Sequence, residues 1–329
     1  MKVSILVAVY NAEKFLPKCL DSLVGQTHRD VEIICVDDAS TDGSWHILQA
    51  YATQDSRVRI LRQTENGGQA KARNRGLEIA QGDYVMMVDS DDWLSPDAIE
   101  QACRVAEEHE EADTVLLDVI YHDDLTERQW PYEYRTTSDS FTGEEAFRLS
   151  LDWSIHGLYM VRRNIHLQVP YDDTSRSYSD DNTTRLHYYY SREVRRSSGL
   201  YYYRQHDAST THRIDVSRFN YLAANWQMRQ ELMHLNADAS VLAFYEKSRW
   251  LNVVGMYVFY WENRTLFSAS ERSAIHRILS RYYSTIQFSE LPSSLTRKFG
   301  YSPCWGIFTL FQWQVFLYAH LRMIYFKLR

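Results

Sequence analysis

Cysteine is scarce in this chain of 329 residues, and positive charge is not in excess. The four cysteines show neither CxxC nor CxxxC spacing, which argues against both a disulfide framework and a zinc site and fits a reducing cytosol. The formal net charge is −7, so no domain-wide basic surface is expected and the sequence disfavours a nucleic-acid-binding protein. The cysteines are Cys19, Cys35, Cys103 and Cys304.

The N-terminal segment "MKVSILVAVYNAEKF" lacks the pattern of a signal peptide. Its apolar run is only about seven residues long, and Asn11 and Glu13 follow it without a small-residue cleavage site. We therefore expect this segment to form a first β-strand. Aromatic residues, by contrast, are abundant at 14% of the chain, which is consistent with sugar stacking or an interface, although packing is expected to account for most of them.

Strand and helix patterns alternate in the first part of the chain. Four apolar runs predict strands, and a segment with apolar residues at helical spacing follows each of the first three. Strands that are buried on both faces and followed by helices predict a parallel, doubly wound sheet, which binds ligands beyond the carboxyl ends of its strands. The predicted strands are "VSILVAVYN", "VEIICVDD", "VRILRQ" and "DYVMMVDSDD"; the helices are "KFLPKCLDSLV", "DGSWHILQAYATQ" and "GQAKARNRGLEIAQG", the last closed by Gly82.

A further helix is predicted in "LSPDAIEQACRVAEEH". Ser95 suits the N-cap, Pro96 the first helical position and Asp97 the positive end of the helix dipole. Asp97 therefore has a structural explanation and is excluded from the candidate site. Residues 114–212 mix strand and helix patterns, and the pattern beyond residue 213 is mainly helical.

Three carboxylates fall within the short stretch "VDSDDW". Asp89, Asp91 and Asp92 repel one another, and ionised carboxylates avoid burial unless they are neutralised. A solvated loop, a proton-sharing acid pair and a site for a divalent cation would each explain the cluster. A site for Mg²⁺ or Mn²⁺ completed by phosphate oxygens is favoured, because the cluster follows a strand and faces a second acidic pair, Asp37 and Asp38, at another strand end.

The segment "NGGQAKARNRG" is basic and begins with glycines. Glycines allow backbone amides to approach an anion, and Lys71, Arg73 or Arg75 could add positive charge at the start of a helix. On a helix, Lys71 and Arg75 share a face while Arg73 points elsewhere, so the three cannot all serve one site.

These motifs together resemble those of family 2 glycosyltransferases with the GT-A fold. They occur in the order found in that family, and the first three cover residues 3–93 almost continuously. The resemblance implies an α/β GT-A fold, which is a Rossmann-like, mostly parallel sheet flanked by helices, here with a helical C-terminal extension. It divides the chain into a nucleotide-sugar-binding half at 1–105, an acceptor-binding half at 106–212 and a helical region at 213–329. The motifs are "VSILVAVYNAEKFLPKCLDSLVGQT", "VEIICVDDASTDGS", "ENGGQAKARNRGLEIAQGDYVMMVDSDDW" and "SYSDDN…LYYYRQH".

The resemblance also implies roles for individual residues of a donor site. Tyr10 matches the tyrosine that family members stack on uracil, and Asp38 matches the carboxylate that accepts the uracil N3 proton. Asp91 matches the metal-coordinating aspartate, and Asp89 matches its partner, which contacts the ribose or the metal through water. His206 matches a residue that some members place against the diphosphate or the metal. The other expected nucleotide-sugar contacts are Val9, Gln69, Lys71, Ser90 and Arg204.

A general base is implied by the acid pair in "SYSDDNTTRLHYYY". Family members usually carry Glu-Asp there, whereas this chain has Asp180 and Asp181. Asp181 occupies the position of the base, which takes the proton of the acceptor hydroxyl as that hydroxyl attacks the anomeric carbon. Asp180 is the next candidate. Without the resemblance, an acid pair favoured by the helix dipole would explain both residues.

The resemblance predicts a cytosolic, inverting glycosyltransferase that uses Mn²⁺ or Mg²⁺. It would move a hexose or N-acetylhexosamine from a UDP-sugar to a hydroxyl of a lipid-linked saccharide. The QxxRW motif of processive synthases is absent, which favours single additions. Two other classes stay open: a non-catalytic sensor or assembly subunit that binds sugar nucleotides, and a metal-dependent nucleotidyltransferase. The latter fits less well, because its glycine-rich, lysine-containing loop is missing after the first strand.

The C-terminal segment is basic and aromatic. Residues 291–329 contain no acidic residue and five basic ones, and they enclose the 18-residue stretch "CWGIFTLFQWQVFLYAHL". Gln312, Gln314 and His320 interrupt that stretch, so an interfacial helix on anionic lipid is favoured over a membrane span. The alternative is a buried helix docked on the catalytic domain. The first interpretation predicts a peripheral protein on the inner face of the cytoplasmic membrane.

Overall fold

The computed structural model describes residues 1–173, 179–206 and 214–327. The chain divides into two compact units, Met1–Ser209 and Thr210–Arg329. The first unit contains the sheet with its flanking helices, and the described part of the second is helical.

One sheet in the first unit contains ten described strands: β1 (Val3–Val9), β2 (Val31–Asp37), β3 (Val58–Arg62), β4 (Tyr84–Met87), β5 (Trp93–Leu94), β6 (Ala112–Asp123), β7 (Gln129–Pro131), β8 (Ser140–Thr142), β9 (Tyr159–Arg162) and β10 (Glu193–Gln205). The order is β3-β2-β1-β4-β9-β6-β10-β5, with β7 beside β6 and β8 beside β10. Strands β1 to β4 are parallel to one another, and β6 is parallel to β10, whereas β9 runs antiparallel to both β4 and β6. The predicted mostly parallel sheet is therefore confirmed.

Seven described α-helices flank this sheet. Alternate residues of β1 point to opposite faces, so Ile5 and Val7 join the core formed with α1 and α4, while Leu6 joins the core formed with α3. Every residue of β2 is buried, as expected for a parallel strand covered on both faces. The helices are α1 (Leu16–Val24), α2 (Ser44–Gln54), α3 (Gln69–Leu77), α4 (Ala98–Glu108), α5 (Gly143–Ser150), α6 (Arg163–Gln168) and α7 (Ser179–Tyr190).

Two predicted helix boundaries are wrong. Helix α3 ends at Leu77 rather than near Gly82, because a tight turn through Ala80 follows it. Gly82 instead allows a close approach to β1, since a Cβ at this position would lie 2.5 Å from the Ser4 nitrogen. Helix α4 begins at Ala98, and Ser95 donates to the Asp97 carboxylate rather than capping the helix.

The second unit has an aromatic core between its helices. Trp250, Tyr257, Phe311 and Val315 are almost completely buried in this core. Across the described residues, no helix combines the length and the apolar character that crossing a bilayer would require. The helices are α8 (Asn220–His234), α9 (Ala239–Asn263), α10 (Ala269–Tyr283), α11 (Ser293–Thr296) and α12 (Phe308–Lys327).

Helix α12 has apolar residues on two faces. One stripe, Phe311, Val315 and Ala319, is completely buried within the second unit, so α12 is docked there along this side. A second stripe is exposed, and it consists of Leu310, Trp313, Leu317 and Leu321, which are 44–66% exposed. The helix is thus docked along one side and leaves an apolar surface along the other, a combination that neither sequence interpretation contained.

Candidate active site

The three carboxylates of "VDSDDW" lie in the turn between β4 and β5, since β4 ends at Met87 rather than reaching Asp92. Asp92 points inward and is 2% exposed. Its carboxylate accepts hydrogen bonds from the Tyr201 hydroxyl (2.7 Å) and the Arg204 amide (2.7 Å) of β10. Burial, together with the charges of Asp91 and Asp89, raises the pKa of Asp92 well above its usual value. Asp92 therefore anchors the turn to β10.

Asp89 and Asp91 are partly exposed, with 25% and 34% of their side chains accessible. Asp89 Oδ1 accepts hydrogen bonds from Gln69 Nε2 (2.8 Å) and Arg73 Nη2 (2.7 Å), and no described residue donates to its Oδ2. Asp91 Oδ2 lies 2.9 Å from Nε2 of His206. Ser90 lies between the two acids and is partly exposed.

A divalent cation fits this group of donors. Asp89, Asp91 and Asp92 each offer an oxygen, and these oxygens all lie within 4.8 Å of one another. Burial and the charges of Asp91 and Asp180 raise the pKa of Asp89, although Arg73 opposes that shift, so the cluster is short of positive charge. Hard cations such as Mg²⁺ prefer carboxylate oxygens, and Mn²⁺ also accepts imidazole, which His206 could supply. Both oxygens of Asp92 already accept protein hydrogen bonds, so Asp89, Asp91 and His206 are the residues best suited to bind the cation.

Among the three basic residues of α3, Arg73 is the one that contacts the acids. It is 2% exposed, and its guanidinium lies 2.7 Å from Asp89 Oδ1 and 3.6 Å from Asp180 Oδ2, so it links the acidic turn to the start of α7. Lys71 and Arg75 are exposed, and Lys71 stays a predicted contact of the nucleotide sugar. Gln69 and Arg73 are four residues apart and share the helix face that meets Asp89, but Lys71 and Arg75 have the same spacing, so the sequence alone did not select this face.

The acids at the start of α7 differ in their contacts. Asp180 pairs with Arg73 and accepts a hydrogen bond from the Asp181 amide (3.2 Å). The Asp181 carboxylate is partly exposed and accepts no hydrogen bond from the described residues. Burial, opposed by Arg185 and reinforced by Asp180, raises the pKa of Asp181 to about 7. Asp181 is thus the less constrained of the two.

Asp38 holds the loop that precedes α3. It is 2% exposed, and its carboxylate accepts hydrogen bonds from the Gly67 and Gly68 amides (both 2.8 Å) and from Gln63 Nε2 (2.6 Å). Gly68 has a φ of 91°, which a residue with a side chain rarely adopts. Asp37 is completely buried and pairs with Arg62 (3.0 Å).

The carboxyl end of β1 contributes one exposed ring. Tyr10 is 50% exposed and follows directly on the completely buried Val9. The Val9 carbonyl accepts the Asp38 amide (2.8 Å), and the Val9 side chain is buried in the core. In the turn after β2, the Asp42 carboxylate accepts the Ser44 amide (3.0 Å) at the start of α2.

Arg204 and Trp93 support the acidic turn. The Arg204 guanidinium donates to the Asp91 carbonyl (2.6 Å) and pairs with Asp124, and it lies 4.7 Å from the Trp93 ring. Trp93 is 9% exposed and stacks on Tyr202 with 5.1 Å between ring centroids, so its ring is packed within the fold. Tyr201, which sequence reasoning missed, donates to Asp92 and accepts the Asp89 amide (3.2 Å).

A mostly parallel sheet with carboxylates clustered beyond β4 and linked to an acid pair on α7 defines a glycosyltransferase of the GT-A class. The model for glycosyl transferase family 2 matches residues 4–169. This chain therefore belongs to glycosyl transferase family 2.

Individual relatives agree with this assignment. Glycosyltransferase GlyG of Streptococcus pneumoniae is 32% identical over 222 residues, which is 63% of this chain and 72% of that protein. Poly(ribitol-phosphate) beta-glucosyltransferase of Bacillus spizizenii is 47% identical over 102 residues, which is 30% of this chain and 16% of that protein. The crystal structure of S. aureus TarS 1-349 in complex with UDP-GlcNAc superposes with a TM-score of 0.68 at 22% identity, covering 88% of this chain and 83% of TarS 1-349, and shows the shared fold.

Proposed function

We propose that this enzyme transfers a hexose or N-acetylhexosamine from a UDP-sugar to a hydroxyl of a saccharide, with inversion at the anomeric carbon. The observation that carries the proposal is the link through Arg73. Its guanidinium contacts both Asp89 beyond β4 and Asp180 on α7, so one buried side chain bridges a donor-side acid and the candidate base pair. Acids held this close together suit a displacement in which the donor leaves from one side and the acceptor enters from the other.

The nucleotide end supports a UDP donor. The half-exposed ring of Tyr10 offers a stacking surface for uracil, and Asp38 stands close by as the carboxylate for the uracil N3 proton. Asp38 already holds the Gly67 and Gly68 amides, so its orientation is set before a nucleotide binds. A carboxylate has room for a further donor beyond those bonds. Gln69, Ser90 and the exposed Lys71 remain proposed contacts of the diphosphate and ribose.

Asp91, Asp89 and His206 would hold Mn²⁺ or Mg²⁺. When bound, the cation supplies positive charge that stabilises the departing UDP. Residues of the protein itself have three further roles. Asp92 and Arg204 hold the acidic turn in place, Arg73 neutralises Asp89, and Asp181 takes the proton from the acceptor hydroxyl. A base whose pKa lies near the working pH combines a usable ionised fraction with proton affinity, and the raised pKa of Asp181 meets this condition.

The acceptor is proposed to be a lipid-linked saccharide of a cell-surface polymer. Support comes from the name of one relative, a poly(ribitol-phosphate) beta-glucosyltransferase, whose β-product also agrees with inversion of an α-linked donor. The exposed stripe of α12 supports a location on the inner face of the cytoplasmic membrane. It lies in a segment with five basic residues and no acidic one, which suits an anionic lipid surface.

Trp305 adds to this surface. It is 92% exposed and occupies a turn in which Cys304 and Trp305 both have positive φ, at 48° and 55°. Residues with side chains adopt this conformation at a cost, and such strain persists where the surroundings impose it, often at functional surfaces. A tryptophan held out of the protein in this way suits the headgroup region of a bilayer.

UDP release from a panel of UDP-sugars tests the function without a known acceptor. We expect slow hydrolysis of one donor that requires Mg²⁺ or Mn²⁺ and is lost in Asp91→Ala. Asp30→Ala, which removes an exposed acid from the loop before β2, is the matched control and should behave as wild type. Full-affinity donor binding in excess EDTA would contradict the metal assignment, and donor binding without any UDP release would favour the non-catalytic sensor.

A further inference from the structure

Three aromatic side chains lie next to one another across β7, β6 and β10. Trp130 pairs with Tyr121 in register, and Tyr121 pairs with Tyr203, so the three side chains project from the same face of the sheet. The ring centroids of Trp130 and Tyr121 are 5.6 Å apart, and those of Tyr121 and Tyr203 are 5.7 Å apart. We refer to Trp130, Tyr121 and Tyr203 as the aromatic row.

The aromatic row differs from the neighbouring aromatic residues in its unused polar groups. All three rings are only half-buried. The hydroxyls of Tyr121 and Tyr203 make no hydrogen bond with any described residue, whereas Tyr132 donates to the Trp153 carbonyl (2.5 Å) and Tyr134 bonds His156 (2.6 Å). A tyrosine that serves packing alone usually satisfies its hydroxyl or turns it to bulk solvent at the surface.

The inner end of the row is beside the acids. Tyr203 is two residues beyond Tyr201, on the same side of β10, and the Tyr201 hydroxyl bonds both the Asp92 carboxylate and the Asp89 amide. Burial, with the negative charges of Asp89, Asp92, Asp91 and Asp180, raises the pKa of Tyr203, which agrees with a position facing both acid groups. From Tyr203 the row crosses Tyr121 on β6 to Trp130 on β7.

In the order of strands across the sheet, β4 separates the aromatic row from β1, which carries Tyr10. In the strand order, β1 with Tyr10 and β4 with its acids come first, whereas β6 and β10 follow beyond β9, and β7 pairs with the same edge of β6 as β9. A ligand on the row therefore approaches the acids from the side away from β1. That is the direction from which a second substrate must enter when the donor occupies the β1 side.

We propose that the aromatic row is the platform on which the acceptor saccharide stacks, with the reacting hydroxyl directed toward Asp181. A pyranose presents an apolar C–H face to the rings and hydroxyls to the free phenol groups of Tyr121 and Tyr203. Binding sites for such ligands combine aromatic walls with a few polar groups in this way. Three rings in a row suit an acceptor of at least two sugar units. This inference rests on the proposed function, since it assigns the second substrate of that reaction.

Saturation-transfer NMR with N,N′-diacetylchitobiose and methyl β-cellobioside, in the presence of UDP and Mg²⁺, tests the platform directly. We expect saturation of the sugar C–H protons in wild type and about tenfold weaker binding in Trp130→Ala, which loses one stacking surface. Trp130→Phe should restore most of the affinity. Tyr51→Ala, which removes a half-buried tyrosine of α2, is the control for general loosening of the first unit and should bind the saccharides as wild type does.

Two results would overturn the platform: no saturation transfer to either saccharide in wild type, or wild-type affinity in Trp130→Ala. The unfolding midpoint of each variant identifies loss of structure, and Tyr203→Phe provides a milder second variant, which should weaken binding by removing one hydroxyl. Saccharide binding without any UDP release from donors would count against the proposed function and leave the platform intact.

Discussion

Asp180 and Asp181 are adjacent in the chain, yet their surroundings give them different roles. Asp180 is committed to Arg73 and to the amide that follows it. Asp181 keeps a carboxylate without a hydrogen bond from the described residues, and its pKa is raised to about 7. A carboxylate in that state can accept a proton and return it to solvent, whereas Asp180 serves to position Arg73 against Asp89.

Replacing Asp181 separates binding from chemistry. Asp181→Asn should bind UDP and metal as wild type does while transfer falls by about 10²–10⁴-fold, the usual contribution of a general base. Transfer assays with parallel UDP titrations measure both effects. Asp180→Asn is the matched comparison, and it should weaken donor binding as well as transfer because it removes a partner of Arg73. Unchanged transfer in Asp181→Asn would reassign the base, first to Asp180.

The pH dependence of transfer follows from the raised pKa of Asp181. A base must be ionised, so activity should fall as the pH drops below about 7, by about tenfold per pH unit. An aspartate with its ordinary pKa near 3.9 would hold full activity down to about pH 5. The pH profile of kcat/KM for the acceptor, with UDP binding measured across the same range, checks this. A flat profile between pH 5 and pH 8 would contradict the assignment.

At the scale of elements, one carboxylate joins three strands. Asp113 on β6 bonds Arg162 at the end of β9 (2.6 Å) and Arg192 just before β10 (2.7 Å), and it accepts the Arg192 amide. Burial opposes ionisation of Asp113, but the hydrogen bonds and charge of Arg192, with Arg162, lower its pKa. The antiparallel β9 is thus held against the parallel strands by a contact between residues far apart in the chain.

Asp113→Asn should lower the free energy of unfolding by about 1–3 kcal/mol at pH 7, since both arginines are partly exposed and water screens part of the interaction. The lowered pKa sets the sign of the pH effect. The stabilisation is present above about pH 4, where the unfolded carboxylate is ionised, and it is lost as the pH falls through the lower folded pKa. Denaturant unfolding at pH 7 and pH 3 measures the difference. Glu78→Gln, in an exposed pair with Arg75, should change little, and an equal loss in both variants would contradict the role of Asp113.

At the scale of the whole molecule, the two units carry different proposed tasks. The first contains every residue assigned to the donor, and the second carries the exposed stripe of α12. Deleting α12 would remove Phe311 and Val315 from the core of the second unit, so truncation would test folding rather than membrane binding. Substitutions on the exposed stripe avoid this problem.

Trp313→Ser with Leu317→Ser should release the protein from vesicles containing phosphatidylglycerol and leave UDP affinity unchanged. Each large apolar side chain contributes about 1.5–3 kcal/mol when buried, and each basic residue at most about 1 kcal/mol near anionic lipid. Vesicle flotation measures the release, and a UDP titration measures the affinity. Leu266→Ser, an equally exposed leucine on a different segment, is the control. Arg297→Gln with Lys298→Gln should mainly reduce the dependence on salt. Two results would contradict a lipid-facing surface. One is vesicle binding by the Trp313→Ser, Leu317→Ser variant that equals that of wild type, and the other is self-association of wild type without vesicle binding.

Consecutive residues determined the identity of the first elements of the first unit. Apolar alternation and helical spacing are local properties, so β1 to β4 and the helices between them follow from the chain order. The motifs also located the acids of the donor side and the pair on α7. Boundaries were less accurate where a turn depended on distant atoms, as at Gly82, which approaches the Ser4 backbone.

The tertiary structure alone decided which residues of these motifs meet. Arg73 rather than Lys71 reaches the acids because the rotation of α3 on the sheet buries one helix face, and sequence spacing does not state which. Asp92 turns inward because β10, more than a hundred residues later, supplies Tyr201 and the Arg204 amide. The docking of α12 likewise required knowing which of its two apolar stripes the core of the second unit accepts. A sequence records side-chain types and spacing, whereas burial and partnership depend on the residues that folding brings together.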